Sequence, residues 1–489
     1  MPNANTDSRS QQPTNELSQA QRRAVSELLR VSPVADDLAR RFKDAGFTLA
    51  LVGGSVRDAL LGRLGNDLDF TTDARPEDVL RIVRPWADAV WEVGIAFGTV
   101  GCRKSDFDIE ITTYRSEAYD RTSRKPEVSY GDSIEEDLVR RDFTVNAMAV
   151  ALPEKEFIDP HNGLEDLAAR TLRTPGTPEE SFSDDPLRMM RAARFAAQLD
   201  FEVAPEVVTA MTEMADRIEI VSAERVRDEL NKLILSSHPR KGLTLLVDTG
   251  LAGLVLPELP ALRLERDEHH RHKDVYEHTL IVLEQAIDLE GPGDPDLVLR
   301  LAALLHDIGK PRTRRFEKDG RVSFHHHEVV GAKMTKSRMT RLKYSNDMVK
   351  DVSKLVELHL RFHGYGTGEW TDSAVRRYVR DAGPLLDRLH KLTRSDCTTR
   401  NKRKANALSR AYDGLEERIA RLQEQEQLDA IRPDLDGNQI MEILGVGPGP
   451  QVGRAYKHLL ELRLEHGPMG YDAAAAALKE WWAAQQPQG

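Results

Sequence analysis

Residues Leu51–Phe70 read LVGGSVRDALLGRLGNDLDF, and this stretch decides the fold. A β-rich run, Thr48–Gly53, ends in Gly53-Gly54-Ser55, where missing side chains let a backbone approach a phosphate closely. Arg57 follows, a fixed cation able to hold phosphate oxygens with two N–H groups. Asp67 and Asp69 stand at i and i+2 of the next run, Asp67–Thr72, so both carboxylates face the same side of a strand. Such a pair beside a triphosphate suits Mg2+, which prefers few protein oxygens plus substrate phosphates. Two ions there could activate a terminal hydroxyl and stabilise leaving pyrophosphate. A third carboxylate is available in Phe107–Thr113 (FDIEITT), where Asp108, Glu110 and Thr112 alternate with Phe107, Ile109 and Ile111. Both acids share the polar face, and the spacing does not choose between them.

Outward from this core, Phe97–Cys102 reads as a further strand, so the first third is α+β. After the breaker cluster Thr174–Pro178 (TPGTP), strand signals stop and helical periodicity takes over. Asp185–Leu199 reads as a helix with Pro186 at its first position, and another opens at Ser222. Leu415, Ile419 and Leu422 mark the apolar face of a charged helix, and Gly445–Gly453 a turn between two short helices.

At 489 residues the chain predicts three or four units of roughly 100–200 residues each. No run approaches the roughly 18 apolar residues of a spanning helix, and Arg300 interrupts the most apolar one. Met1–Leu17 is polar, without the apolar segment of a secretory signal. Cys102 and Cys397 are the only cysteines, too few for a disulfide framework. A cytoplasmic protein without membrane contact is expected. The net charge of −11 argues at first against a polyanionic partner, but charge is unevenly placed. Residues 331–350 hold Lys333, Lys336, Arg338, Arg341, Lys343 and Lys350 against Asp347 alone; residues 391–405 hold six cations against Asp396. Such patches suit nucleic acid or a merely solvated helix face.

The run from Leu51 to Phe70 resembles the head motif of bacterial-type (class II) CCA-adding tRNA nucleotidyltransferases, members of the polymerase-β-like nucleotidyltransferase superfamily. Bacterial poly(A) polymerases share it. Glu136–Ala149 (EDLVRRDFTVNAMA) resembles the family's second motif, which implies that Asp142 and Asn146 contact the nucleotide ribose while Arg141 supports the site. Ile158–Gly163 (IDPHNG) resembles the hinge motif, with Asn162 where a second glycine is usual. Residues 118–133 resemble the loop that full CCA-adding and A-adding enzymes possess and CC-only enzymes lack.

Ser183–Leu199 (SDDPLRMMRAARFAAQL) resembles the nucleotide-selecting motif, with Asp184 replacing the usual glutamate and Asp185 and Arg188 at the selecting positions. Cytosine and adenine both place an amino donor beside a ring-nitrogen acceptor; an Asp accepts from the first and an Arg donates to the second. Uracil and guanine reverse the pattern and leave buried polar groups unpaired, at about 1–3 kcal/mol or more. Arg191 and Arg194 extend the same helix face and join the nucleotide-binding candidates. Asp185 before Pro186 is equally a good helix cap, and the arginines an ordinary solvated stripe. The two roles are compatible.

A second constellation spans residues 269–396. His278, His306-Asp307 and Asp396 stand in an order that resembles the HD superfamily of metal-dependent phosphohydrolases. The resemblance implies that these four ligate a divalent metal, with His327 and His359 able to support a second. Imidazoles and carboxylates suit a divalent transition metal or a mixed pair; Mg2+ is the other candidate.

The expected architecture is α+β: a mixed-sheet, polymerase-β-like nucleotidyltransferase head at 18–172 after a disordered tail at 1–17. All-α modules follow: a neck at 173–262, an HD domain at 263–410 and a tRNA-binding region at 411–489. The resemblance implies CCA addition to tRNA from CTP and ATP, with Mg2+ held by Asp67, Asp69 and, by preference, Glu110. Gly53, Gly54, Ser55 and Arg57 would hold the triphosphate. The alternatives are a poly(A) polymerase, or an HD phosphohydrolase whose head only binds. The sequence does not set the oligomeric state.

Overall fold

The computed structural model describes residues 33–63, 65–115, 130–131, 133–263, 274–318, 322–362, 370–397, 402–426 and 432–485. The expected tail at 1–17, most of the loop at 118–133, and His269, His270 and His272 lie outside the described residues. The chain divides into two compact units at Val255–Leu256.

The first unit is built on seven strands: β1 (Leu49–Val52), β2 (Asp67–Thr72), β3 (Ala89–Trp91), β4 (Thr99–Lys104), β5 (Phe107–Thr113), β6 (Ala149–Leu152) and β7 (Glu156–Ile158). They lie in the order β3-β4-β5-β2-β1-β6-β7; β2 and β5 run parallel and the other neighbours antiparallel, the mixed sheet expected. β1 is apolar and buried throughout, as a central strand covered on both faces must be. On β5, Ile109 and Ile111 are buried while Asp108 and Glu110 take the opposite face. The parallel register sets Asp67 beside Asp108 and Asp69 beside Glu110, so four carboxylates share one surface.

Three local readings shift. The strand expected at Phe97–Cys102 begins at Thr99, because Ile95–Phe97 forms a single tight turn that Gly98 closes at φ 78°. Pro186 precedes its helix rather than opening it. Strand structure also continues past residue 178, in two-residue ladders pairing Thr171–Leu172 with Glu202–Val203 and Arg315–Phe316 with Val322–Ser323. These are too short for any alternation to register in sequence.

Helices of the first unit that matter for the site are α1 (Gly54–Leu60), α2 (Ile134–Val139), α3 (Leu187–Leu199) and α4 (Ala223–Ile234). α2 packs Leu138 against Ala50 and Val52 of β1 and against Ala147 and Ala149. Ser222 caps α4 as expected, its Oγ accepting from Arg225 N. Asn162 stands at φ 58°, the left-handed conformation that asparagine tolerates best after glycine, so its departure from the usual glycine keeps the turn.

The second unit is helical: α5 (Val275–Asp288), α6 (Leu297–Leu305), α7 (His327–Arg341), α8 (Asn346–Leu358), α9 (Leu386–Ser395), α10 (Lys402–Glu426), α11 (Gly437–Leu444), α12 (Pro450–His466) and α13 (Tyr471–Gln485). α10 buries Leu415, Ile419 and Leu422, the face its spacing predicts. α11–α13 enclose a small core of Leu435, Ile440, Ala455, Leu459, Ala474 and Leu478; α12, at 17 residues, is longer than the short helix expected. No described helix is long and apolar enough to cross a membrane.

Candidate active site and metal centre

β1 passes into α1 through Gly53 at φ 68°, a conformation that strains any residue with a Cβ. A Cβ there would also lie 2.9 Å from Nη1 of Arg141. Ser55 sits two residues on, its Oγ accepting from Asp69 N at 2.9 Å and donating to the Asp67 carbonyl at 3.3 Å. The hydroxyl expected on the triphosphate thus pins the backbone of β2 between the two carboxylates. Arg57 is buried: Nε and Nη2 bind Asp58 at 2.9 and 2.8 Å, and Nη1 donates to Asn146 at 2.6 Å.

Burial pushes the carboxyl of Asp69 up, and the charge of Glu110 beside it adds to the rise, against Arg141. Carboxylates crowded in this way are stabilised by a cation, the observation that fits a divalent metal here. Asp108 has a different environment. Arg103 donates to both its oxygens, at 2.6 and 2.9 Å, and holds its carboxyl below the usual range. Glu110 has no ion pair among the described residues and faces Asp69, so tertiary context separates two acids that spacing left equal.

Asp142 is fully engaged. One oxygen accepts from Phe143 N at 2.8 Å and Asn146 Nδ2 at 2.9 Å; the other accepts from Arg191 Nε at 2.7 Å. Burial alone would raise its carboxyl, but Arg191 and the Asn146 amide outweigh it and hold the group well below the carboxylate range. Arg194 is buried against Glu229 and lies 3.9 Å over the Phe195 ring, and burial pushes its guanidinium down. It braces α3 against α4 rather than forming part of a solvated stripe. Arg188 donates to Ser181 Oγ at 2.9 Å and to the Arg140 carbonyl. Asp185 takes both readings at once: Oδ1 accepts from Leu187 N at 3.1 Å as a cap, while Oδ2 meets Arg225 Nη2 at 2.7 Å.

Eleven of the expected residues line one cavity of about 440 Å3: Gly53, Gly54, Arg57, Asp69, Arg141, Asp142, Asn146, Asp185, Arg188, Arg191 and Arg194. Asp67, Glu110 and Ser55 lie outside its lining. Sequence reasoning missed Arg140, Leu187, Phe195 and Arg225, which complete the wall. The signal for Arg225 was present, since Arg225 and Glu229 are one turn apart on a helix capped by Ser222. Seven arginines against three aspartates make the cavity electropositive, matched to a nucleoside triphosphate.

In the second unit six residues converge from five helices. His278 lies on α5 and His327 opens α7, while His306, His359 and Asp396 cap the C-terminal ends of α6, α8 and α9. Nδ1 of His306, His327 and His359 each lies 2.6–2.8 Å from the carbonyl three residues before it, which fixes Nδ1–H as donor. Their Nε2 atoms are buried and have no hydrogen-bond partner among the described residues. Buried nitrogens left without a partner and aimed at carboxylates fit a metal ion, with the backbone carbonyls orienting each ring. The ligand atoms form two groups, His278, His306, Asp396 and Asp307, His327, His359. Asp307 joins them: Oδ2 lies 3.2 Å from His306 and 3.5 Å from His278, Oδ1 3.3 Å from His327. Lys310, not singled out in the sequence, reaches Asp307 at 2.6 Å.

Three family models match the chain in succession. The poly A polymerase head domain matches residues 49–173, the probable RNA and SrmB-binding site of polymerase A matches 200–262, and the HD domain matches 275–401. The A-adding tRNA nucleotidyltransferase of Deinococcus radiodurans is 36% identical over 445 residues, covering 90% of this chain and 96% of its own. A CCA-adding enzyme of Streptococcus suis is 31% identical over 434 residues, covering 88% and 92%. The crystal structure of the Bacillus stearothermophilus CCA-adding enzyme in complex with CTP superposes with a TM-score of 0.67 at 25% identity, covering 93% of this chain and 98% of that one. At 36% identity over 90% of its length to a relative covered to 96%, and with head, RNA-binding and HD regions matched in turn, this chain belongs to the bacterial-type tRNA nucleotidyltransferase family.

Proposed function

We propose that this protein adds or repairs the 3′-terminal CCA of tRNA from CTP and ATP, releasing pyrophosphate, without a nucleic-acid template. The observation that carries the reading is that one arginine-rich cavity gathers the glycine turn, Asp69, the Asp142–Asn146 pair and the Asp185–Arg188 pair. The tRNA 3′-hydroxyl attacks the α-phosphate in line, with Asp67, Asp69 and Glu110 holding Mg2+. Glu110 is favoured over Asp108 because Arg103 already neutralises the latter. Gly53, Gly54, Arg57 and Arg141 surround the triphosphate, and Ser55 acts by fixing β2. Asp142 and Asn146 meet the ribose. Asp185 and Arg188 read the base edge, and Arg191 supports Asp142 from α3.

The HD residues His278, His306, Asp307 and Asp396 hold a divalent transition metal or Mg2+, with His327 and His359 facing a second position. Phosphohydrolysis at this centre is a second activity in this reading. We assign 18–172 to the head, 173–262 to the neck, 263–410 to the HD domain and 411–489 to tRNA binding, in a cytoplasmic enzyme. Of the two basic patches, 331–350 suits phosphate contacts better, through Lys333 and Arg341, because Lys391 and Arg394 in the other are paired with Asp387 and with Asp413 and Glu416.

A second reading is addition of the terminal A alone, favoured by the A-adding relative from Deinococcus radiodurans. Purified protein given a tRNA lacking its CCA, then CTP, ATP or both, separates the possibilities by product length. Three added nucleotides, with C required before A, are expected. Addition only to a tRNA already ending in CC assigns A addition, and a long A ladder from ATP alone assigns poly(A) synthesis. No extension, with phosphate release from nucleotides, moves the activity to the HD centre.

A further inference from the structure

A second cavity, of about 430 Å3, lies wholly within the second unit, between the segment Pro257–Ala261, the short helix Lys310–Thr313 and α7. None of the HD histidines lines it. Ile308, Val330 and Met334 give it apolar walls, and Arg338 in its wall is already bound to Glu258 at 2.9 Å. Arg312, Lys333 and Arg341 also line it; all three are exposed and have no ion pair among the described residues. On α7 the lining positions recur every three or four residues, from Val330 through Met334 and Arg338 to Arg341, so they share one face. Lys336 and Thr340 fall outside it.

We propose that this cavity binds one nucleotide of an RNA strand. The base lies against the apolar walls, and Arg312, Lys333 and Arg341 take its phosphate and the next one along. Two features point to this occupant. Three free cations against an already paired Glu258 give net positive charge suited to backbone phosphates, beside an apolar interior against which a base can pack without aromatic stacking. Lys333 and Arg341 are eight residues apart, about 12 Å along the helix, farther than one phosphate reaches but suited to neighbours on a strand. The choice of RNA rests on the tRNA reading above; the cavity and its cations do not.

The test is binding of a tRNA lacking its CCA end, measured at several salt concentrations. R312A/K333A/R341A is compared with wild type and with K336A, which removes one charge from the same helix off the cavity. The triple variant is expected to bind at least tenfold more weakly near physiological salt. Its slope of log affinity against log salt should fall by about two, at about 0.7 per lost phosphate contact on a single strand. K336A should keep the wild-type slope. Should the triple variant melt early, R312Q, K333Q and R341Q tested singly carry the same expectation, about 0.7 of slope each.

Wild-type affinity and slope in the triple variant would overturn the proposal, as would an equal loss per charge in K336A. Saturable AMP binding that the triple substitution abolishes, with RNA binding intact, would give the cavity to a free nucleotide and also overturn it. Because binding alone is read, failure of nucleotide addition in the wild type would count against the transferase reading and leave this result standing.

Discussion

Nε and Nη2 of Arg191 both donate to one carboxylate oxygen of Asp142, 49 residues earlier in the chain. The pair ties α3, which carries Arg188, to the segment that follows α2, so in the proposed reading the base and ribose contacts are held together.

Removing the charge of Asp142 therefore costs stability as well as nucleotide affinity. Asp142→Asn should lose about 1–3 kcal/mol at pH 7, the range for buried hydrogen bonds to a charged group. The folded carboxyl is held below its unfolded value, so its contribution is complete above the unfolded pKa, about 3.9, and is lost as pH falls toward the folded one. Urea melts should show the gap between wild type and variant narrowing from pH 7 to pH 3; a constant gap would contradict the assignment.

Asp67→Ala or Asp69→Ala should abolish nucleotide incorporation, by at least about a thousandfold if both support the transition-state charge. Any phosphate release by the HD centre should persist. Asp108→Ala, removing an acid already paired to Arg103, should cost much less than Glu110→Ala. Single-turnover incorporation with each purified variant checks the order, and normal incorporation by the Asp67/Asp69 double variant would end the metal assignment.

Asp307→Ala should empty the HD centre while sparing nucleotide addition, because Asp307 is the carboxylate that, among the described residues, faces both histidine groups. Metal content after dialysis, read by elemental analysis, is the direct measure. Loss of addition in a variant with wild-type circular dichroism would show that the two centres are not independent.

Arg188→Ala should relax base choice. The side chain now donates to Ser181 and the Arg140 carbonyl at the edge of the cavity, within reach of a base lying there. Discrimination against UTP and GTP should fall by about tenfold or more, the worth of one unmade hydrogen bond to a buried acceptor. Equal discrimination across the four nucleotides in wild type and variant would remove Arg188 from the reading.

Gly163→Ala should destabilise the head by about 2–3 kcal/mol, because its Cβ would lie 2.2 Å from the Thr144 carbonyl oxygen. Gly176→Ala, whose Cβ meets nothing nearer than 3.8 Å, is the control and should shift stability by about 0.5 kcal/mol or less. Denaturant midpoints of the two variants decide it.

What the sequence determined by itself was whatever depends on a few bonds of backbone. Asp67 and Asp69 share a face because side chains alternate along a strand, and β2 and β5 fall at the limits their alternation predicts. Ser222 caps its helix and Leu415, Ile419 and Leu422 are buried for equally local reasons. The order of motifs was legible too, through resemblance. Tertiary structure decided the rest, because those choices turn on partners brought together from distant parts of the chain. Asp108 and Glu110 are alike on β5, and only β4, placing Arg103 beside one, and β2, placing Asp69 beside the other, make them different. Arg225 reaches Asp185 across 40 residues, and Asp307 turns one oxygen toward His306 and the other toward His327 only once the helices of the second unit have packed. A carboxylate's role follows from the charges and the burial around it, and packing alone sets both.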